Sequence, residues 1–446
     1  MKKIHFLFLL LFSLSFWACT NEFIERDLSI PTTINCTHKI PIEKALSELN
    51  SMLEVIDKDI ITRSGTKRQV STVKTVKLAD IGLVTRSNKM LDAEELIYIA
   101  NFENGEGYAI LGADDRLASI IAVTEMGSLA QEDFIDIVHR GYNLTDGPPV
   151  LSFVANYALG DGDRPIGGID GGRPPADLNV ISYGDWKFDM KLGPLVPTKW
   201  NQTDPYNFYK PKSYAGCVAV ALAQYITAEC YRKRRYSKVR ARFPKIADET
   251  IDWTTIIASI SSGERSYPFG KYTEESKAVA WLIRQCGIHV RTSYGSIEAG
   301  TGSSASMSNI AYYLSTFGFK NAMHYGYNAK DVVMYLEINK LPLLVSGYSS
   351  TPGGKVGHAW LIDGECKQTR IIEQRFTDIV IDSWTESRTL IHANFGWGGS
   401  CDGYYYPGVF DLREGSQDIE KNFGDKNQNM NSNYSRMEDL IYSLGL

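Results

Sequence analysis

Cys217 opens an apolar helical run, Cys217-Val-Ala-Val-Ala-Leu-Ala-Gln224, directly after the turn signal Ser213-Tyr-Ala-Gly216. A thiol at a helix N-terminus meets the positive end of the macrodipole and free backbone N–H groups. Both favour thiolate over thiol, so the position predicts a lowered pKa and a reactive nucleophile. Cys230 and Cys286 sit inside apolar runs and read as small buried hydrophobes. Nucleophilic acyl transfer also needs a base, a group that orients the base, and donors for the oxyanion. His358 is the base candidate: Gly353, Gly354 and Gly357 precede it and a hydrophobic strand follows. Glycines there let a substrate backbone come close. His392 is the rival base. Asn394, in Asn394-Phe-Gly-Trp397-Gly-Gly399, is placed to orient the imidazole, and Trp397 to cover that contact and exclude water. Strand alternation sets Asn394 on the face of His392 and Phe395 on the opposite one. Gln202, in Trp200-Asn-Gln-Thr-Asp-Pro-Tyr-Asn207, completes the set, its amide and the Cys217 N–H forming an oxyanion hole. Each residue alone has an ordinary reading: a buried cysteine, a satisfied strand histidine, a glycine-rich turn, a surface glutamine. The four together, in this order, carry the chemistry.

The elements that must position them are helices at 217–232 and 274–285, then strands at 341–346, 358–363, 379–381 and 390–394. Helices first and strands later predict an α+β domain with two lobes over 178–446. Upstream, residues 42–56 have the apolar spacing of an amphipathic helix. Two strands flank Asn104-Gly-Glu-Gly107 as a hairpin, and 119–125 is a third strand. Residues 60–90 are weakly patterned. Together 20–160 read as a small α+β domain without a catalytic constellation. Between the two regions, 161–177 is so rich in Gly and Pro that it is expected to be exposed and easily cleaved. Its aspartates do not follow the EF-hand pattern, because Arg164-Pro165 falls where a ligand and the turn Gly belong.

The chain has 446 residues, 43% hydrophobic and 22% charged, with a net charge of -5. That balance excludes an electrostatic nucleic-acid or membrane-surface binder. The basic stretch at 232–242 reads as a solvated face, and Cys36-Thr-His38 lacks the second pair of ligands that zinc needs, so no metal site is expected. Seven cysteines, an odd number, leave at least one unpaired. Met1-Lys2-Lys3 and the apolar run to Trp17 form a signal peptide, too short to span a bilayer. Ala18-Cys19 at its end resembles a bacterial lipobox, with Cys19 as the lipidated residue; ordinary cleavage is the alternative. Either way the chain is expected to be exported, secreted or lipid-anchored at the cell envelope, with membrane contact only through that lipid.

With these residues in hand, the chain resembles the streptopain family of papain-like bacterial cysteine proteases. The matching segments are Lys199–Asn207, Ala215–Gln224, Gly354–Gly364 and Asn394–Gly399. The Cys217-to-His358 separation also lies within the ~130–150 residues of a papain-like plan. The resemblance implies a two-lobed papain-like domain that hydrolyses peptide bonds without metal or organic cofactor. It implies a zymogen whose N-terminal region is an intramolecular inhibitory propeptide, released by cleavage at the linker. It also places substrate contacts on Ser303 and Gly357. The family has a Trp where this chain has Phe395, so the orienting role falls on Asn394 or on the aromatic position. Two other readings stand beside it: a thiol-dependent amidase or transglutaminase, and a surface-binding lipoprotein on a protease scaffold.

Overall fold

The computed structural model of the chain describes residues 39–59, 67–77, 79–80, 95–115, 117–140, 180–233, 245–246, 249–351, 354–376, 379–407, 436–443 and 445. Cys19, the 161–177 linker and the Cys36-Thr-His38 stretch lie outside them. The first helix, α1 (Ile42–Ile56), buries Ala45, Leu49, Met52, Leu53 and Ile56 on one stripe, as its spacing predicts. Four antiparallel strands follow as a meander: β1 (Val70–Lys77), β2 (Glu95–Phe102), β3 (Tyr108–Gly112) and β4 (Ile120–Thr124), then α2 (Gln131–Arg140). The expected hairpin is β2–β3, turned by Asn104 and Gly105 at φ 56° and 67°. Strand β1 emerges from the weakly patterned stretch. It is the edge of the sheet and only Val76 is buried, so its alternation is faint.

The C-terminal region begins with β5 (Val180–Tyr183) and β6 (Lys187–Leu192). Next come α3 (Cys217–Lys233), the two-residue pair β7 (Lys245–Ile246) and β8 (Glu249–Thr250), α4 (Trp253–Ser261), α5 (Glu274–His289) and α6 (Ile310–Thr316). Then follow β9 (Met323–Tyr325), α7 (Ala329–Asn339), β10 (Leu343–Thr351), β11 (Gly354–Phe376), β12 (Ile379–Asn394), β13 (Gly403–Tyr405) and β14 (Arg436–Tyr442). The α+β class is as expected, but the order is not strictly helices first: β5 and β6 precede α3, and α7 follows β9. The 379–381 and 390–394 strands are one strand, β12, because the polar residues between them continue the ladder with β11.

One sheet runs β1-β2-β3-β4-β13-β12-β11-β10-β14-β9, with β5 and β6 on β11. The N-terminal meander therefore joins the C-terminal strands edge to edge, with Ala122, Val123 and Thr124 opposite Tyr405, Tyr404 and Gly403. The helical lobe packs α3, α4 and α5 around Leu222, Ile226, Ile256, Leu282 and Ile283, and meets the sheet at Leu344, Ala359 and Leu361. A second core holds Ile99, Ile110, Leu336, Trp360, Phe395 and Tyr405. A third sets α1 against β2–β4 and against Cys366 and Leu390 of the long hairpin.

Candidate active site

Helix α3 is apolar all round and buried from Val218 to Cys230, which makes it the central helix of its lobe. Its buried Glu229 is neutralised by a two-pronged bond from Arg232, at 2.8 and 2.9 Å. Entry to the helix needs glycine: Gly216 has φ 97°, and a Cβ there would lie 3.3 Å from Thr292 Cγ2. The preceding residue ties in a second segment, since Ala215 N–H donates to the Gln202 carbonyl at 2.8 Å. Gln202 is thereby fixed beside the start of α3, and among the described residues its side-chain amide makes no hydrogen bond.

The backbone N–H groups of Ala359, Val218 and Cys217 itself lie near enough to the Cys217 thiol to favour its thiolate. Ala359 is the residue after His358, so the thiol lies by the strand that carries the imidazole. Burial nevertheless outweighs these donors and pushes the thiol pKa up. The lowered pKa expected from the helix terminus is thus reversed, because a desolvated sulfur loses more than the N–H groups return. His358 is buried and its pKa falls to about 4, burial again prevailing over the bond to Phe395. Thiol and imidazole are both neutral at pH 7 in this state.

His358 Nε2 lies 2.8 Å from the Phe395 carbonyl oxygen. A carbonyl only accepts, so Nε2 carries the proton and Nδ1 is left as the basic nitrogen. The ring is walled by Trp397, 4.5 Å away between centroids, and by Trp360 and Phe395 at 5.8 and 6.3 Å in near-parallel planes. Trp397, expected to cover a contact between Asn394 and the imidazole, lies against the imidazole itself.

Asn394 is elsewhere. Its Nδ2 donates to the Thr198 carbonyl at 2.8 Å, and its Oδ1 accepts from Gln224 Nε2 at 3.1 Å and Gly396 N–H at 3.2 Å. That carboxamide braces the loop against α3, and the imidazole is held by main chain at position 395. Gly396, at φ 69°, passes close over Val220 and lets the loop do so.

His392 is bracketed by carboxylates, with Nδ1 2.5 Å from Asp363 Oδ1 and Nε2 3.1 Å from Glu125 Oε1. Burial opposes its charge, but Asp363 and Glu125 raise its pKa to about 10. It is an imidazolium at neutral pH and unfit as a base. Ser303 Oγ donates to the Tyr214 carbonyl at 2.7 Å and accepts from Gly295 N–H at 3.2 Å, so its hydroxyl holds the loop in front of α3. Gly357 is exposed on β11 immediately before His358. A cleft of about 290 Å³ opens beside Trp397, lined also by Asn201, Thr203, Tyr267 and Phe269.

The Peptidase C10 family model matches residues 200–405. The match spans the segment that holds Cys217, His358 and Asn394, and the members of that family are cysteine endopeptidases. Residues 57–140 match the Spi protease inhibitor model, so a domain of inhibitor type precedes it. The thiol protease/hemagglutinin PrtT of Porphyromonas gingivalis is 22% identical over 340 residues, 70% of this chain and 34% of its own. This chain therefore spans about a third of that relative's length. Streptopain of Streptococcus pyogenes is 22% identical over 393 residues, 80% of this chain and 82% of its own. Among solved structures, a prointerpain A fragment of Prevotella intermedia aligns over 78% of this chain and 95% of its own, with 22% identity and a TM-score of 0.46. Active interpain A aligns over 57% and 95%, with 27% identity and a TM-score of 0.38.

The sequence did not point to Asp363, Asp402, Lys199 or Glu125. They lie in four separate segments, and only the fold brings them together around His392 and the Phe395 loop.

Proposed function

We propose that the chain is the zymogen of an exported cysteine endopeptidase. The observation that supports this best is a buried imidazole that the Phe395 carbonyl holds as the Nε2–H tautomer, on the strand whose next residue, Ala359, lies near the Cys217 thiol. In the released enzyme His358 Nδ1 takes the thiol proton and Cys217 Sγ attacks the scissile carbonyl carbon. The oxyanion is met by the Cys217 N–H and the Gln202 amide. The imidazolium returns the proton to the leaving amine as the C–N bond breaks. Water, deprotonated by His358, then splits the thioester and regenerates the thiol. Gly357 leaves the approach to His358 open for substrate backbone, and Trp397 screens the imidazole.

The neutral thiol and neutral imidazole suit a latent form. So does the inhibitor-type region, whose strand β4 lies on β13 of the peptidase domain. Cleavage within 161–177 releases it, and Cys19 carries the lipid if the signal is a lipobox.

The test is incubation of the purified chain with peptide substrates, followed by intact mass and N-terminal sequencing. A new N-terminus between about 155 and 190 is expected. Cys217→Ala is expected to stay full length and to cleave nothing. Turnover of small amides or amine incorporation without peptide cleavage would replace this reading by the amidase or transglutaminase one. Failure of a thiol alkylator to label Cys217 would point to a binding protein.

A further inference from the structure

Asp402 sits in the turn that follows the Phe395 loop, and its side chain is 1% exposed. Its Oδ1 accepts the Phe395 N–H at 2.8 Å, so it grips the same residue whose carbonyl holds His358. Its Oδ2 is buried and, among the described residues, has no hydrogen-bond partner. A buried carboxylate oxygen without a hydrogen bond is costly, and a direct ion-pair partner, a cation, would relieve it.

That cation is at hand. The stem of Lys199 crosses Gly399, three residues before Asp402; a Cβ at Gly399 would lie 3.0 Å from Lys199 Cδ. The Lys199 ammonium, however, is 2.5 Å from Glu125 Oε2. Glu125 belongs to the inhibitor-type region and follows directly on β4. Its backbone N–H donates to the Asp402 carbonyl at 2.9 Å, so the two acidic residues are neighbours in one cluster. The second Glu125 oxygen accepts from His392, whose other nitrogen is held by Asp363. Three carboxylates, from Glu125, Asp363 and Asp402, thus share Lys199 and His392, with the Arg265 charge also acting on Lys199. Without Glu125, His392 keeps Asp363 and Lys199 is left with Asp402.

We propose that Lys199 is a shared cation, held by Glu125 in the full-length chain and passed to Asp402 when the inhibitor-type region leaves, making Asp402 the positioning residue that fixes His358 through the Phe395 peptide. The inference rests on the peptidase reading of Cys217 and His358. It explains why a carboxylate is buried with half its acceptors unused, and it gives the inhibitory region an action on the imidazole without touching it. Electrostatics agree. Burial raises Asp402 to about 7 while Glu125 is present, Lys199 working against that rise and Glu125 adding to it. A protonated Asp402 still accepts from Phe395 N–H through its carbonyl oxygen but no longer anchors that N–H with a charge.

The experiment compares full-length and matured protein for the parent, Glu125→Gln, Lys199→Met, Asp402→Asn and the Lys199→Met/Asp402→Asn pair. In full-length Glu125→Gln, Lys199 turns to Asp402 early, and iodoacetamide labelling of Cys217 at pH 7 is expected to quicken about tenfold, the scale of one charge-assisted hydrogen bond. The matured product of that variant is expected to match the parent. Matured Lys199→Met is expected to lose about tenfold or more in kcat with KM little changed, and to show a displaced acid limb in its kcat profile. Adding Asp402→Asn, which removes the need for a cation and keeps the acceptor, is expected to restore most of the loss. A simple packing defect at Lys199 would not be rescued that way. Lys199→Met kcat equal to the parent's, or a loss that Asp402→Asn does not relieve, overturns the proposal. If Lys199→Met fails to fold, unchanged labelling in Glu125→Gln overturns it by itself. If the parent cleaves no peptide, the peptidase reading fails, while the labelling comparison still reads where Lys199 sits.

Discussion

The imidazole of His358 is held by the carbonyl of Phe395, and the amide of Asn394 next door faces the other way, into Thr198 and Gln224. Two adjacent residues thus divide the work. One supplies a main-chain acceptor to the imidazole, and the other pins the loop that presents it. A main-chain acceptor does not depend on the side chain at its position, which accounts for Phe395 standing where the resemblance implies a Trp.

Asn394→Ala is therefore expected to act first on stability. It strips a buried carbonyl, an amide N–H and a loop N–H of partners, at a cost of roughly 1–3 kcal/mol for each buried group left unsatisfied. Thermal unfolding beside turnover checks it: activity at a temperature where both proteins are folded is expected to fall less than the midpoint does. Phe395→Trp is expected to be tolerated, since the carbonyl stays. A folded Asn394→Ala protein without activity would return the orienting role to that side chain.

Much of this site is legible in the sequence, and the reason differs by residue. Cys217 and Gln202 declare themselves through a turn-then-helix pattern and a short polar motif, both local signals. His358 follows from its glycines and the strand behind it. The acceptor on His358 does not declare itself, because a backbone carbonyl has no letter in the sequence. Glu125 and Asp402 are opposite one another only because β4 pairs with β13, a contact between segments 280 positions apart that no local pattern encodes. The same holds for the fold. Helix α1 and the β2–β3 hairpin are strongly periodic, whereas β1 is an exposed edge and the middle of β12 is polar on both faces. Their pairing, and not their composition, makes them strands.

Reactivity of Cys217 is expected to differ between forms. In the full-length chain burial holds the thiol up and the imidazole down, so iodoacetamide labelling at pH 7 is expected to be slow and to speed up only as the pH rises toward thiol ionisation. After release of the inhibitor-type region the rate at pH 7 is expected to rise and its dependence on pH to flatten. Identical pH–rate curves for the two forms would mean that the inhibitory region leaves the thiol–imidazole pair untouched.

Gln202→Ala is expected to cut turnover of the matured protein by about 10²–10³, the usual cost of one oxyanion donor. Labelling of Cys217, which builds no oxyanion, is expected to stay near the parent's rate. Parallel loss of both would assign Gln202 to the structure of the loop that Ala215 N–H ties down.

His392 sets a pH dependence of stability with a definite sign. Burial opposes its charge, yet Asp363 and Glu125 lift its folded pKa to about 10 from an ordinary 6.5. The folded chain therefore binds a proton more tightly than the unfolded one. Its contribution is complete below about pH 6.5 and is lost as the pH climbs through about 10. Thermal midpoints of the full-length chain measured from pH 6 to 10 are expected to fall, and those of His392→Gln to start lower and fall less. A parent profile that is flat or rising over this range would show that the imidazole is not charged between its carboxylates.

Arg68 is the final expectation, because it supports Glu125 from behind. Arg68 and Asp57 are each 4% exposed, with contacts of 3.0, 3.0 and 2.7 Å between guanidinium and carboxylate. The same guanidinium donates to the Thr124 carbonyl at 2.7 Å and lies 4.7 Å over the Phe102 ring. Thr124 is the last residue of β4, pairs with Gly403 and immediately precedes Glu125. Arg68→Met leaves Asp57 buried and alone, a loss of roughly 3–5 kcal/mol for a broken buried pair. The full-length chain is expected to melt earlier, and Cys217 labelling at pH 7 to quicken as β4 loosens from β13. Converting both partners, Arg68→Met with Asp57→Leu, is expected to recover most of the stability, since an apolar pair can replace a buried ion pair. It is not expected to restore slow labelling fully, because the Thr124 carbonyl still lacks its donor. Recovery of both together would mean that Arg68 acts only through Asp57, and that the end of β4 holds its place against the peptidase domain by strand pairing alone.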